Sequence, residues 1–149
     1  MSSEPLPDTL RRSVIAGVGG TAVMTAFQLL VEMPLTKREE SFAPAELAEK
    51  LLPFDSKKAA TSRPLNYVMH FALGAGWGAT RGVMARAGLK GPAAIGGTFA
   101  AMYPADVMLA TALGVYRPRE WSVKDTAIDV VDKLVQAAGT GLLYDRLAR

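Results

Sequence analysis

The stretch Asn66-Tyr67-Val68-Met69-His70-Phe71-Ala72-Leu73-Gly74-Ala75-Gly76-Trp77-Gly78-Ala79-Thr80 decides how the chain is read. It is apolar enough to enter a bilayer, yet it holds the only histidine of the sequence. Gly74, Gly78 and Gly82 recur every fourth residue, so they stack along one helix face where a second backbone can approach closely. A transmembrane helix that packs through its glycines is the expectation, and the rest of the chain is taken outward from it.

The chain has 149 residues, enough for one domain or one compact bundle, and half of them are hydrophobic. Its mean hydropathy is only mildly positive. Several long uncharged runs in so short a chain suit a small membrane protein with one polar connector better than a water-soluble domain. The net charge of +3 is dispersed and makes no case for nucleic acid. Lys and Arg beside apolar runs instead mark helix ends facing lipid headgroups, so the lipid bilayer is the expected partner. The absence of cysteine excludes disulfides, thiolate catalysis and iron–sulfur clusters, and one histidine excludes a multi-histidine metal or haem site within one chain. No cofactor is expected.

Four crossings are predicted, over residues 10–33, 64–86, 92–115 and 122–146, in a single integral membrane domain spanning 1–149. Arg11 and Arg12 precede an apolar run from Ser13 to Val31, which resembles a signal peptide. The run is, however, as long as a crossing requires and lacks a small-x-small cleavage site followed by polar sequence, so a retained helix is expected. Asp8 or Thr9 would cap this helix and Pro34 would end it. The polar connector 35–63 contains Pro44 and then Leu47 and Leu51 on one face, a short amphipathic helix on the membrane surface or over the bundle mouth. Pro53, Asp55, Ser56, Lys57 and Lys58 would terminate it. Pro104 should kink the third helix, and Arg117 to Trp121 should form a short connector to the fourth.

An internal repeat supports the fourth helix. His70-Phe-Ala-Leu-Gly74-Ala-Gly76-Trp-Gly78 aligns without gaps on Lys133-Leu-Val-Gln-Ala137-Ala-Gly139-Thr-Gly141, and Gly19-Gly20-Thr21 matches Gly96-Gly97-Thr98. The fold expected is therefore an all-α four-transmembrane-helix bundle made of two tandem helical hairpins. Gly20, Gly74, Gly78, Gly82, Gly97, Gly139 and Gly141 are its expected packing positions. Both termini fall on one side of the membrane. The positive-inside rule does not separate the two basic faces, and a cytoplasmic placement is preferred.

Ionisable residues inside the spans are candidate functional groups. At 1.5 Å per residue, His70 and Lys133 both lie roughly 7 Å from their helix midpoints, toward the connector side. Asp106 lies near its midpoint, and Glu32, Asp129 and Asp132 lie further out on that same side. Charges facing hydrocarbon cost on the order of 3 kcal/mol each, so the six should turn inward and pair, Asp106 with Lys133 or with His70. For Glu32 the plainer alternative is that it reaches headgroup water. Trp77, Arg81 and Trp121 are assigned to the membrane interface; for Trp77, packing on a neighbouring helix is preferred to a cation–π pair with Arg81 or a contact with a lipid headgroup. The polar cluster reads either as glue that locks helices or docks a partner, or as a proton, ion or solute pathway. No nucleophile–base constellation, phosphate loop or metal spacing is present, so a non-catalytic role is expected: a homo-oligomer or an accessory subunit of a larger membrane complex, with a small channel or transporter as the alternative.

Taken together, these features resemble the YagU-like family of small bacterial inner-membrane proteins. The resemblance rests on the Gly-rich first helix ending in Glu32 and a proline, the Pro-containing loop with its short Leu helix, His70-x-x-x-Gly74-x-x-x-Gly78, Asp106, the Pro118 to Trp121 connector and the Gly-rich last helix. It implies a multi-pass helical bundle in the bacterial inner membrane and supplies no reaction. The family pattern opens the last helix's glycine motif with a histidine; here Lys133 stands at that position.

Overall fold

The structure, a computed structural model, describes residues 5–52 and 62–149. Among them it is helical throughout, without a strand. The order is α1 (Leu6–Thr36), α2 (Ala43–Leu51), α3 (Arg63–Arg86), α4 (Gly91–Ala112), a short 3₁₀ turn (Pro118–Glu120) and α5 (Val123–Leu147). The expected terminators Pro53, Asp55, Ser56, Lys57 and Lys58, and residues 1–4, lie outside the described residues.

Helix ends follow local chemistry. Ser62 caps α3, its hydroxyl accepting from the Leu65 N–H at 3.4 Å, with Pro64 in the first turn. Ser122 and Asp125 form a reciprocal capping box on α5, with bonds of 3.1 and 3.0 Å. Other boundaries depart from expectation. Helix α1 begins at Leu6, directly after Pro5, and neither Asp8 nor Thr9 caps it; the Thr9 hydroxyl donates to the Pro5 carbonyl instead. Pro34 does not end α1. A π-helical turn at Gln28–Glu32 widens the ladder ahead of it, so the ring fits into the final turn Met33–Thr36, and the helix stops at Lys37 in the left-handed region (φ 61°). Helix α4 runs unbroken through Pro104 but stops at Ala112, not 115. There Gly114, at φ 74°, lets the Val115 and Tyr116 N–H groups turn back onto the Ala110 carbonyl at 2.8 and 3.0 Å.

The four long helices pack antiparallel to their neighbours, and α1 is the hub, with its largest interfaces on α3 and α5. Glycine makes these contacts close. A methyl added at Gly78 would sit 2.8 Å from the Gly17 nitrogen and collide with the Ser13 carbonyl. Gly74 faces Thr21, Gly82 faces Ser13, and Gly20 faces Thr140 with Gly139 beside it. Gly97 meets Met84, and Gly141 meets Ile95. All seven glycines singled out above thus lie between helices, joined by Gly17. Fully buried Thr21 and Thr98, which align in the sequence match, each donate to the carbonyl four residues back, those of Gly17 and Ala94, at 2.9 and 2.8 Å.

Polarity runs from inside to outside. Ser13, Thr21, Arg81, Thr98, Gln136 and Thr140 are buried, whereas Leu10, Ile15, Leu30, Val68, Met108 and Val123 are exposed, Leu30 at 77% and Val123 at 88%. Two helices, Leu6–Thr36 and Gly91–Ala112, are long and apolar enough to cross a membrane, and only 28% and 17% of their most apolar windows are buried. Helix α2 folds back on α3 and buries Ala45, Leu47 and Ala48. Leu51 does not join Leu47 there; the contact ends one turn earlier and Leu51 stays 48% exposed. Buried Asn66 tethers the connector: its amide accepts from Ala45 N–H at 3.1 Å and donates to the Ser41 carbonyl at 2.9 Å.

Candidate functional site

A cavity of about 420 Å³ opens at the connector end of the bundle, between the C-terminal half of α1, α2 and the first turns of α3 and α5. Thr25, Gln28 and Glu32 recur at three- and four-residue spacing, which puts them on one face of α1. Gln28 and Glu32 line the cavity along with His70, Asp129, Asp132 and Lys133. Five of the six polar residues singled out from the sequence therefore meet here. Asp106 lies behind them, in an adjoining space of about 40 Å³ that also contacts His70, Trp77, Lys133 and Gln136.

Each charge has specific partners. The Lys133 ammonium sits 2.8 Å from Asp106 and 5.8 Å from the centre of the Trp77 ring, with the ion pair about 15% exposed on either side (16% and 15%). His70 does not pair with Asp106. Its Nε2 lies 3.1 Å from the Thr25 hydroxyl, and that hydroxyl donates to the Thr21 carbonyl at 2.8 Å. Thr25 must then accept from His70, which assigns the ring proton to Nε2. Gln28 donates to Asp132 at 2.8 Å, and Tyr103 donates to Asp129. Glu32 does not reach out to water: the π turn carries it inward, 8% exposed, where it accepts from Thr36 at 2.8 Å with Arg38 at 3.9 Å. At the rim Trp121 meets Tyr116 edge to face, centroids 5.2 Å apart. Burial pushes the Tyr116 hydroxyl up to about 12, so it remains a neutral donor.

A second buried cluster lies nearer the other end. Arg81, 1% exposed, pairs with Asp145 and stacks 4.5 Å over the Tyr144 ring. Arg81 therefore does not extend outward from its helix, and Trp77 packs between helices as preferred above. Both side chains point between the helices, because Asp145 and the Tyr144 face supply Arg81 with a better partner than solvent at the helix end. Trp77 and Arg81 do not pair with one another; Lys133 approaches Trp77 instead. Arg81 lies about 16 Å along α3 from His70. The intervening space is closed by Trp77, by fully buried Thr140, and by Gln136, which donates to Thr21 at 2.9 Å. The cavity is therefore a blind vestibule.

Sequence reasoning overlooked Thr25, Asn66, Tyr103, Gln136, Tyr144 and Asp145 as members of these networks. The spacing of Thr25, Gln28 and Glu32 was a usable signal. Asp145 carried none, standing 64 residues from its arginine.

Comparison with protein-family models, with curated proteins and with solved structures gave no match. The class rests on the fold and the cavity: a helical protein with two membrane-length apolar helices and a polar vestibule at one end of its bundle.

Proposed function

We propose that this chain is a multi-pass integral membrane protein in which all four long helices cross the bilayer, α1 paired with α3 and α4 with α5. The distribution of polarity carries this reading. Threonines, a glutamine and an arginine share the interior with alanines, Met24 and Trp77, while many Leu, Ile and Val side chains face out, an arrangement that suits lipid better than water. Helices α3 and α5 are less apolar overall because their charges serve the interior: Arg81 and Asp132 are buried, whereas Val83, Val131, Leu134 and Leu142 face out. On this reading the buried pairs Lys133–Asp106 and Arg81–Asp145 lock the helices, both termini lie on one side of a bacterial inner membrane, with cytoplasmic placement preferred, and the protein acts without catalysis as a homo-oligomer or accessory subunit. Kinship with the YagU-like family is part of the same proposal.

Alkaline carbonate extraction tests the placement. Retention in the membrane pellet until detergent is added is the expected result, and release by carbonate or high salt refutes it. Native mass in mild detergent, with co-purifying chains identified, then separates a homo-oligomer from a subunit of a larger complex. The polar lining of the vestibule favours a second reading, a solute or ion pathway entered from the connector side, which would have to open past Trp77, Gln136 and Thr140. Flux measured in proteoliposomes distinguishes the two, since glue alone predicts none.

A further inference from the structure

The walls of the vestibule are unevenly charged. Two of the cations on its lining already have carboxylates: Lys133 holds Asp106 at 2.8 Å and Arg38 lies 3.9 Å from Glu32. Asp129 and Asp132 each accept from one neutral donor, Tyr103 and Gln28, and the charge of Lys133 also acts on Asp129. Asp132 is only 6% exposed and lines the cavity, and its Oδ1 is buried without a hydrogen-bond partner; Asp129 Oδ2 is in the same condition. A buried carboxylate oxygen without a donor is costly, and a cation entering the cavity would relieve it. The lining also carries four aromatic side chains, Phe42, Tyr67, Tyr116 and Trp121, among aliphatic residues and further carboxylates such as Glu39 and Glu46. Aromatic faces attract weakly hydrated organic cations. Among the described residues no group of three or more His, Cys, Asp or Glu is placed to hold a metal ion. A volume of about 420 Å³ admits a small molecule with an aryl or alkyl group.

We propose that the vestibule is a binding site for a small organic monocation, a substituted ammonium held by Asp129 and Asp132 against the aromatic rings of Tyr116 and Trp121. The ammonium lies toward α5, and its apolar substituent lies toward the mouth. Occupancy requires no covalent step. It also requires no transport, so the site stands or falls independently of how the protein sits in the membrane.

The full chain, purified in dodecyl maltoside, is titrated with benzyltrimethylammonium by calorimetry. Saturable binding of one probe per chain is expected. Asp132→Asn and Asp129→Asn, which keep the side-chain shape, should each weaken it at least tenfold, and Trp121→Ala at the rim should weaken it severalfold. Neopentylbenzene, the uncharged isostere, should fail to displace the probe. Absence of saturable binding, unchanged affinity in both aspartate variants, displacement by the neutral isostere, or displacement by equimolar sodium each overturns the proposal. If an aspartate variant loses its near-ultraviolet circular dichroism, Trp121→Ala and the isostere competition decide the matter.

Discussion

Replacing Gly78 with alanine should weaken the bundle, whereas the same change two residues earlier should not. A Cβ at position 78 would lie 2.8 Å from the Gly17 nitrogen and 2.8 Å from the Ser13 carbonyl carbon, and closer still to the Ser13 carbonyl oxygen. All three obstacles are backbone atoms of α1, so no side chain can rotate away. Relieving the Gly17 contact alone to an ordinary 3.4 Å requires α1 and α3 to part by about 0.6 Å, and the Ser13 carbonyl demands more. Because α1 is also packed on α5 at Gly20 and Thr140, the displacement spreads to a second interface. Overpacking of this kind costs about 1–3 kcal/mol. A glycine-to-alanine change in a helix interior returns roughly 0.5–1 kcal/mol of helix propensity, so the net loss should approach 2 kcal/mol at the upper end. Gly76 is the internal control. Its added Cβ would meet only the Met102 methyl at 3.9 Å, so Gly76→Ala should be neutral or stabilising by up to about 1 kcal/mol. Reversible unfolding in mixed micelles, followed by the fluorescence of buried Trp77, compares the two variants. A net loss of 1.4 kcal/mol appears as about a tenfold fall in the folding constant. Equal stability of Gly78→Ala and Gly76→Ala would refute close backbone packing between α1 and α3.

Three further outcomes follow from the charged contacts. Asp145→Asn should leave the buried Arg81 without its anion and cost about 1.5–3 kcal/mol in the same unfolding assay, with Tyr144 stacking retained. Asp106→Asn should be more harmful than the double change Asp106→Asn with Lys133→Met, because the single variant strands an ammonium that is 16% exposed and the double variant removes it; equal losses would mean that the ion pair does not hold the helices. In that experiment loss of assembly without any change in flux supports glue, and an intact assembly with lost conductance supports a pathway. Finally, Ser122→Ala removes the hydroxyl that accepts from the Asp125 N–H in the capping box that opens α5 and should lower stability in the same unfolding assay; an unchanged stability would contradict a role for the box in holding the start of that helix.

Local sequence determined much of this architecture. Apolar length and prolines mark the long helices, and four-residue glycine spacing marks the faces on which backbones meet, because both depend on helix geometry alone. The same geometry put His70, Lys133, Asp129 and Asp132 on the connector side of their helices, and they share a cavity. Pro34 misled because a π turn several residues long can accommodate a proline that would break a regular ladder. Only the tertiary structure decided which partner each polar group takes and which way each helix is turned. Arg81 stands four residues beyond Trp77 near a helix end, where local logic sends it outward to headgroups. It is buried because α5 happens to present Asp145 and Tyr144 at that level. Likewise His70 meets Thr25 and not Asp106 because α1, not α4, packs against its face of α3. Helix periodicity is a property of neighbours along the chain, whereas a buried pair depends on the rotation and height of two helices brought together from distant parts of it.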